Sequence, residues 1–154
     1  MAAVVAWRLV GQRHAATAFS GEGARIFEGR WNSAGVPVVY CSENLALAAL
    51  EILVHVQPVA IAAPFRAFRV TFDDSLTTRI ELERLPKGWN LQPPTVVSKQ
   101  IGDEWIKSGR SLALALPSVL VPPERTYLLN PKHPNFRKLR IHDIGDFTLD
   151  PRLR

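Results

Sequence analysis

Residues 29–55 read GRWNSAGVPVVYCSENLALAALEILVH. The segment opens with Arg30 in a turn bounded by Gly29 and Gly35, then runs through a short apolar strand, Val36 to Cys41, with Tyr40 near its end. Pro37 cannot donate to a ladder, so the first residues of that strand are expected at an edge or outside the sheet. Ser42 is a good N-cap for the helix that follows, Glu43 to about Val56, and Glu43 falls in the first turn, where the helix dipole favours an anion. The helix is apolar on nearly every side, which predicts burial on most faces, and Pro58 stops it. Its one carboxylate beyond the first turn, Glu51, shares a face with His55 four residues on. An ionised carboxylate in such a run is costly unless something pairs with it or shifts its pKa.

Outward from this stretch the chain reads as alternating short elements. Val4 to Val10 is an expected strand, with Trp7 and Leu9 on one face and Arg8 on the other. Residues 11–28 carry several glycines and polar residues and read as a loop with a weak element around Ala15 to Phe19. Phe65 to Phe72 alternates, with Phe68, Val70 and Phe72 on one face, and Asp73-Asp74-Ser75 closes it. Leu76 to Leu85 is ambiguous, and Pro86 to Pro94 is a loop. A second helix runs from Pro94 to about Ser108, with Val97, Ile101 and Trp105 as its stripe and Gly109 as its C-cap. Leu112 to Leu116, Tyr127 to Leu129 and Arg140 to Asp150 read as extended. The sum is a single α+β domain over residues 1–154, a mixed, mostly antiparallel β core flanked by helices.

The bulk properties bound the function. At 154 residues, with 47% hydrophobic and 21% charged residues, the chain is long enough for one core and too hydrophobic to be disordered. The longest apolar run, Leu45 to Val56, is interrupted and too short to span a bilayer, so no membrane partner is expected. The N-terminal MAAVVAWRLV lacks a cationic leader and reads as a strand. A single cysteine, Cys41, excludes an internal disulfide and fits a reducing cytoplasm. The net charge of +5 favours an anionic partner. The basic residues are spread out and not interleaved with aromatics, which speaks against a nucleic-acid surface.

Five residues stand at the edges of these elements: Arg8, Arg30, Tyr40, Glu51 and Ser118. Each alone has a plain explanation, as a solvated strand residue, a salt bridge, a core aromatic, a buried ion pair with His55, or a turn cap. Glu51 and His55 lack a third ligand, so no metal is expected. A pairing of Ser118 with His133 lacks the oxyanion and orienting groups of a nucleophilic site.

Together they carry a resemblance. Trp7-Arg8, Gly29-Arg30-Trp31-Asn32 with Gly35, Val39-Tyr40-Cys41-Ser42, Ala49-Leu50-Glu51 with His55, Pro117-Ser118 followed by Pro122, and Asn130-Pro131 with His133-Pro134 resemble the RES domain family in order and local context. The family is named for an Arg, a Glu and a Ser, matched here by Arg30, Glu51 and Ser118. The resemblance implies the toxin of a bacterial toxin–antitoxin pair, neutralised by a cognate Xre-like antitoxin, with a fold similar to ADP-ribosyltransferase toxins. It implies consumption of NAD+ as co-substrate, by hydrolysis, phosphorolysis or transfer of ADP-ribose to a protein target.

Residue chemistry is compatible with that expectation. A guanidinium fork from Arg30, supported by Arg8, suits a pyrophosphate, and the face of Tyr40 suits the flat nicotinamide cation. Glu51 beside the ribose would stabilise the positive charge that develops as the nicotinamide leaves, through the 2′-hydroxyl or by charge alone. Ser118 would orient the ribose or Glu51. Positions 47 and 49 are Leu and Ala, so the helix offers no second carboxylate beside Glu51 to activate an acceptor. The rival reading is a noncatalytic nucleotide- or nucleic-acid-binding module, which would tolerate Glu51→Gln.

Overall fold

The computed structural model describes residues 2–153. Seven strands form one sheet: β1 (Ala3–Gly11), β2 (Val39–Ser42), β3 (Phe65–Asp73), β4 (Thr77–Arg79), β5 (Ala113–Pro117), β6 (Arg125–Leu129) and β7 (Arg140–Phe147), in the order β4-β5-β6-β2-β1-β3-β7. Every neighbouring pair is antiparallel except β4 and β5. The expected mixed, mostly antiparallel core is therefore present, and the ambiguous stretch after Ser75 contributes its one parallel edge strand. Among the described residues the α-helices are α1 (Glu22–Ile26), α2 (Leu45–His55) and α3 (Val96–Ser108).

What matters for the site is where the sheet is weak. β1 and β3 pair over nine residues, from Ala3 opposite Asp73 to Gly11 opposite Phe65. β1 and β2 share a single register pair, Trp7 opposite Ser42. Away from that pair no register pair joins the two strands, and residues of both line a cleft. Arg8 stands on the same face of β1 as the buried Val4, Ala6 and Val10 and is not the solvated residue of the plain reading. It reaches across to β2, donating from Nε to Ala18 O at 2.5 Å and from Nη1 to Tyr40 O at 2.7 Å.

The helices cover the sheet from outside, each over its own apolar cluster. α2 lies over Leu9, Phe65 and Ala67 of β1 and β3. α3 lies over Leu114, Leu116 and Leu128 of β5 and β6, with Trp31, Trp89 and Trp105 between. On α3 the buried positions are Ser98, Gly102 and Trp105, so the stripe sits one residue round from the expected Val97 and Ile101. The reason is close approach: a Cβ on Gly102 would lie 1.7 Å from Trp31 O. Gly109 closes the helix at φ +60, as expected of a left-handed cap.

Two expectations for the 29–55 stretch are corrected. The helix begins at Leu45 with Asn44 as its N-cap, Oδ1 accepting from Leu47 N at 2.7 Å. Ser42 is instead the last residue of β2, opposite Thr126, and β2 itself starts at Val39, beyond Pro37. Both Ser and Asn cap well, and strand pairing claimed the first of them. The helix is also less buried than its composition predicts: Leu47 and Ala48 are buried, while Leu50 and Val54 are 40% and 55% exposed. α2 packs against β1, β2 and β3 of the one sheet, and Leu50 and Val54 on its other side face solvent.

Candidate active site

The turn that carries Arg30 is built around Asn32, which is fully buried. Its Nδ2 donates to Ala24 O at 2.7 Å, and its Oδ1 accepts from Gly29 N at 3.0 Å and from the Tyr40 hydroxyl at 2.6 Å. One amide thus ties together α1, the Arg30 turn and the end of β2. α3 clamps the same turn from behind: Ser98 Oγ donates to Arg30 O at 2.6 Å, and Asp103 accepts from Ser33 N and Oγ at 2.9 and 2.6 Å. Gly29 must be a glycine here, because a Cβ would sit 2.7 Å from the Tyr40 oxygen.

The side chain of Arg30 turns toward the loop that precedes α3. Nη1 donates to Trp89 O at 3.1 Å and to Leu91 O at 2.8 Å, and Nη2 donates to Gln92 Oε1 at 2.9 Å. Partial burial pulls its pKa down, and the negative charge of Glu51 opposes that shift. Arg8, more deeply buried, is pulled down by desolvation as well. Two guanidinium groups on one lining, each partly or fully desolvated, leave the cleft receptive to an anion.

Tyr40 spends its hydroxyl on structure, donating to Asn32 and accepting from Trp31 N at 3.1 Å. Burial pushes its pKa above the usual phenol range, so it stays protonated and offers the cleft its ring. Glu51 projects from α2 with its side chain 28% exposed, and His55 Nε2 lies 3.5 Å from Glu51 Oε2. The hydrogen bond to Glu51 raises the His55 pKa.

These residues meet in one place. Arg8, Arg30, Tyr40, Glu51 and His55 line a cleft of about 910 Å³, walled by Trp7, Ile52, Val119 and Leu120 among others. That is toward the upper end of the roughly 300–1,000 Å³ typical of small-molecule sites. Ser118 is not on the lining. It is fully buried, and its Oγ accepts from Leu120 N and Val121 N, both at 3.1 Å, closing the turn that presents Val119 and Leu120. Among the described residues no group of three His, Cys, Asp or Glu side chains is arranged to hold a metal.

Sequence reasoning missed three participants. Asn32 was visible as an Asn in a glycine-bounded turn, but nothing local indicates that it also holds Tyr40. Gln92 meets Arg30 from 62 residues away and leaves no sequence signal. Glu28, absent from the helix-based search for a second carboxylate, lines the cleft from the turn before Arg30 and is held by Lys99 Nζ at 2.7 Å, which lowers its pKa.

The site is thus a cleft in a mostly antiparallel sheet that combines two guanidinium groups with a helix-borne carboxylate. The toxin–antitoxin complex MbcT–MbcA of M. tuberculosis includes a chain that superposes on this one with a TM-score of 0.77 at 17% identity, covering 99% of this chain and 87% of that one. More specifically, the chain belongs to the RES domain family, whose model matches residues 5–150. Its relatives include "Toxin Res" of Yersinia enterocolitica, 36% identical over 96% of this chain and 98% of the relative. The "Prs ADP-ribosylating toxin" of Sphingobium sp. is 34% identical over 96% of this chain and 94% of the relative. Among the described residues no helix is long and apolar enough to cross a membrane.

Proposed function

We propose that the protein is the toxin of a type II toxin–antitoxin system and that its cleft cleaves the nicotinamide–ribose bond of NAD+. The observation that carries this reading is that Arg30, on a turn, and Glu51, on α2, face one cleft of cofactor size. A guanidinium and a carboxylate lining one groove match a substrate with a pyrophosphate at one position and a developing cation at another. The naming of a 34% identical relative as an ADP-ribosylating toxin supports the same chemistry.

In this reading Arg30 takes the pyrophosphate and Arg8 adds fixed positive charge at the cleft floor. The ring of Tyr40 receives the nicotinamide cation. The C1′–N bond breaks with its electron pair leaving on the nicotinamide nitrogen, which departs neutral, so no general acid is needed. Glu51 stabilises the ribosyl oxocarbenium left behind. The acceptor then bonds to C1′ and loses a proton. Glu28, the second carboxylate on the lining, is available to take it when the acceptor is a protein side chain; with water or phosphate, solvent suffices. Ser118 serves the site by holding the turn that places Val119 and Leu120.

The partner in this reading is a cognate Xre-like antitoxin that covers the cleft mouth, where Phe27 and Val54 are 78% and 55% exposed. A cytoplasmic setting suits a chain whose single cysteine is buried. Incubation with NAD+ and cell extract, following nicotinamide and the fate of ADP-ribose by mass spectrometry, tests the proposal. Nicotinamide release with ADP-ribose on protein, free, or phosphorylated identifies the acceptor, and no release contradicts the proposal.

A further inference from the structure

On the reading that the cleft takes NAD+, we propose that the loop 89–92 is a cradle presenting one edge of the Arg30 guanidinium to a phosphate group, with Gln92 as its positioning residue. A guanidinium has five N–H donors. Both hydrogens of Nη1 go to main-chain carbonyls, Trp89 O and Leu91 O, and one hydrogen of Nη2 goes to Gln92 Oε1. The remaining two are on Nε and Nη2 and have no protein acceptor among the described residues; with Gln92 taking the Nη2 hydrogen nearer Nη1, they share one edge of the guanidinium. Two parallel N–H groups on one edge are the geometry that grips two oxygens of a phosphate.

The cradle is anchored at its first residue, and the arginine it holds is fixed separately. Trp89 is 7% exposed and stacks on Trp31, centroids 5.9 Å apart at 18°, so the loop is tied to the turn whose side chain it orients. Ser98 fixes the main chain of Arg30 itself. Of the three acceptors Gln92 alone is a side chain; it is exposed and lines the cleft, so it can be changed without opening the core. An amide is also the acceptor that suits the task. It fixes orientation without charge, whereas a carboxylate at position 92 would neutralise the cation that the phosphate needs.

Calorimetric titration with ADP-ribose and with adenosine, on the full chain and its Gln92→Ala and Gln92→Glu variants, tests this. In Gln92→Ala the affinity for ADP-ribose is expected to fall about tenfold, and in Gln92→Glu further, with adenosine unchanged within about twofold. The KM for NAD+ rises in parallel while kcat stays near the wild-type value. Wild-type affinity for ADP-ribose in both variants, or an equal loss for adenosine, overturns the cradle. A wild-type protein that binds ADP-ribose no better than adenosine instead overturns the phosphate assignment of the cleft, and the cradle with it.

Discussion

The Tyr40 hydroxyl donates to Asn32 Oδ1 at 2.6 Å, so the aromatic ring at the end of β2 and the turn carrying Arg30 move as one unit. Tyr40→Phe keeps the ring but leaves Trp31 N, which now donates to that hydroxyl, without its partner. A buried unsatisfied amide costs about 1–3 kcal/mol. The expected result is a melting temperature lower by about 2–10 °C, read by scanning calorimetry. Asn32→Ala loses more hydrogen bonds and falls further. A Tyr40→Phe protein as stable as wild type would show that the hydroxyl is not part of the scaffold.

Gly102 is where α3 meets the Arg30 turn. Gly102→Ala drives a methyl group against Trp31 O, at 1.7 Å before any relaxation, and the contacting atom is backbone. Separating the helix from the turn is expected to cost about 1–3 kcal/mol, measured by urea unfolding. Turnover of NAD+ falls with it, since the displaced turn carries Arg30. An unchanged midpoint would contradict the close packing.

His55 donates a hydrogen bond to Glu51 in the folded protein, which raises its pKa above the unfolded value of about 6.5. The sign follows directly: the stability this contact supplies is fully present below the unfolded pKa and is lost as pH rises through the folded one. His55 is 70% exposed at its side chain, so the contribution is screened and stays under about 1 kcal/mol. Urea unfolding of wild type and His55→Gln should therefore differ at pH values below about 6.5, with the difference shrinking as pH rises above that. A difference that grows with pH would reverse the assignment.

The sequence disclosed the elements that present the site better than the contacts that orient it. Arg30 in a glycine turn, Tyr40 at a strand end and Glu51 in an apolar helix are each marked by strong local pattern, and all three line the cleft. The helix start was displaced because Ser42 and Asn44 are both competent caps and hydropathy does not choose between them. The burial of α2 was overstated because composition does not tell a helix packed on one side from a helix packed on several. On α3, Ser98 and Gly102 are buried for hydrogen bonding and close approach, and a count of apolar residues passes over both. Ser118 was legible as a turn residue, and its turn-capping hydrogen bonds have the form of that plain reading. Gln92 and Glu28 reach the cleft through tertiary folding alone.

The central claim is that Glu51 stabilises the cation formed as nicotinamide leaves. The direct measurement is nicotinamide release from NAD+ by Glu51→Gln beside wild type, with circular dichroism and melting temperature showing both folded. The substitution keeps shape and removes charge, and release is expected to fall by about 100-fold or more with NAD+ still bound. A folded Glu51→Gln protein that releases nicotinamide at the wild-type rate would contradict the account.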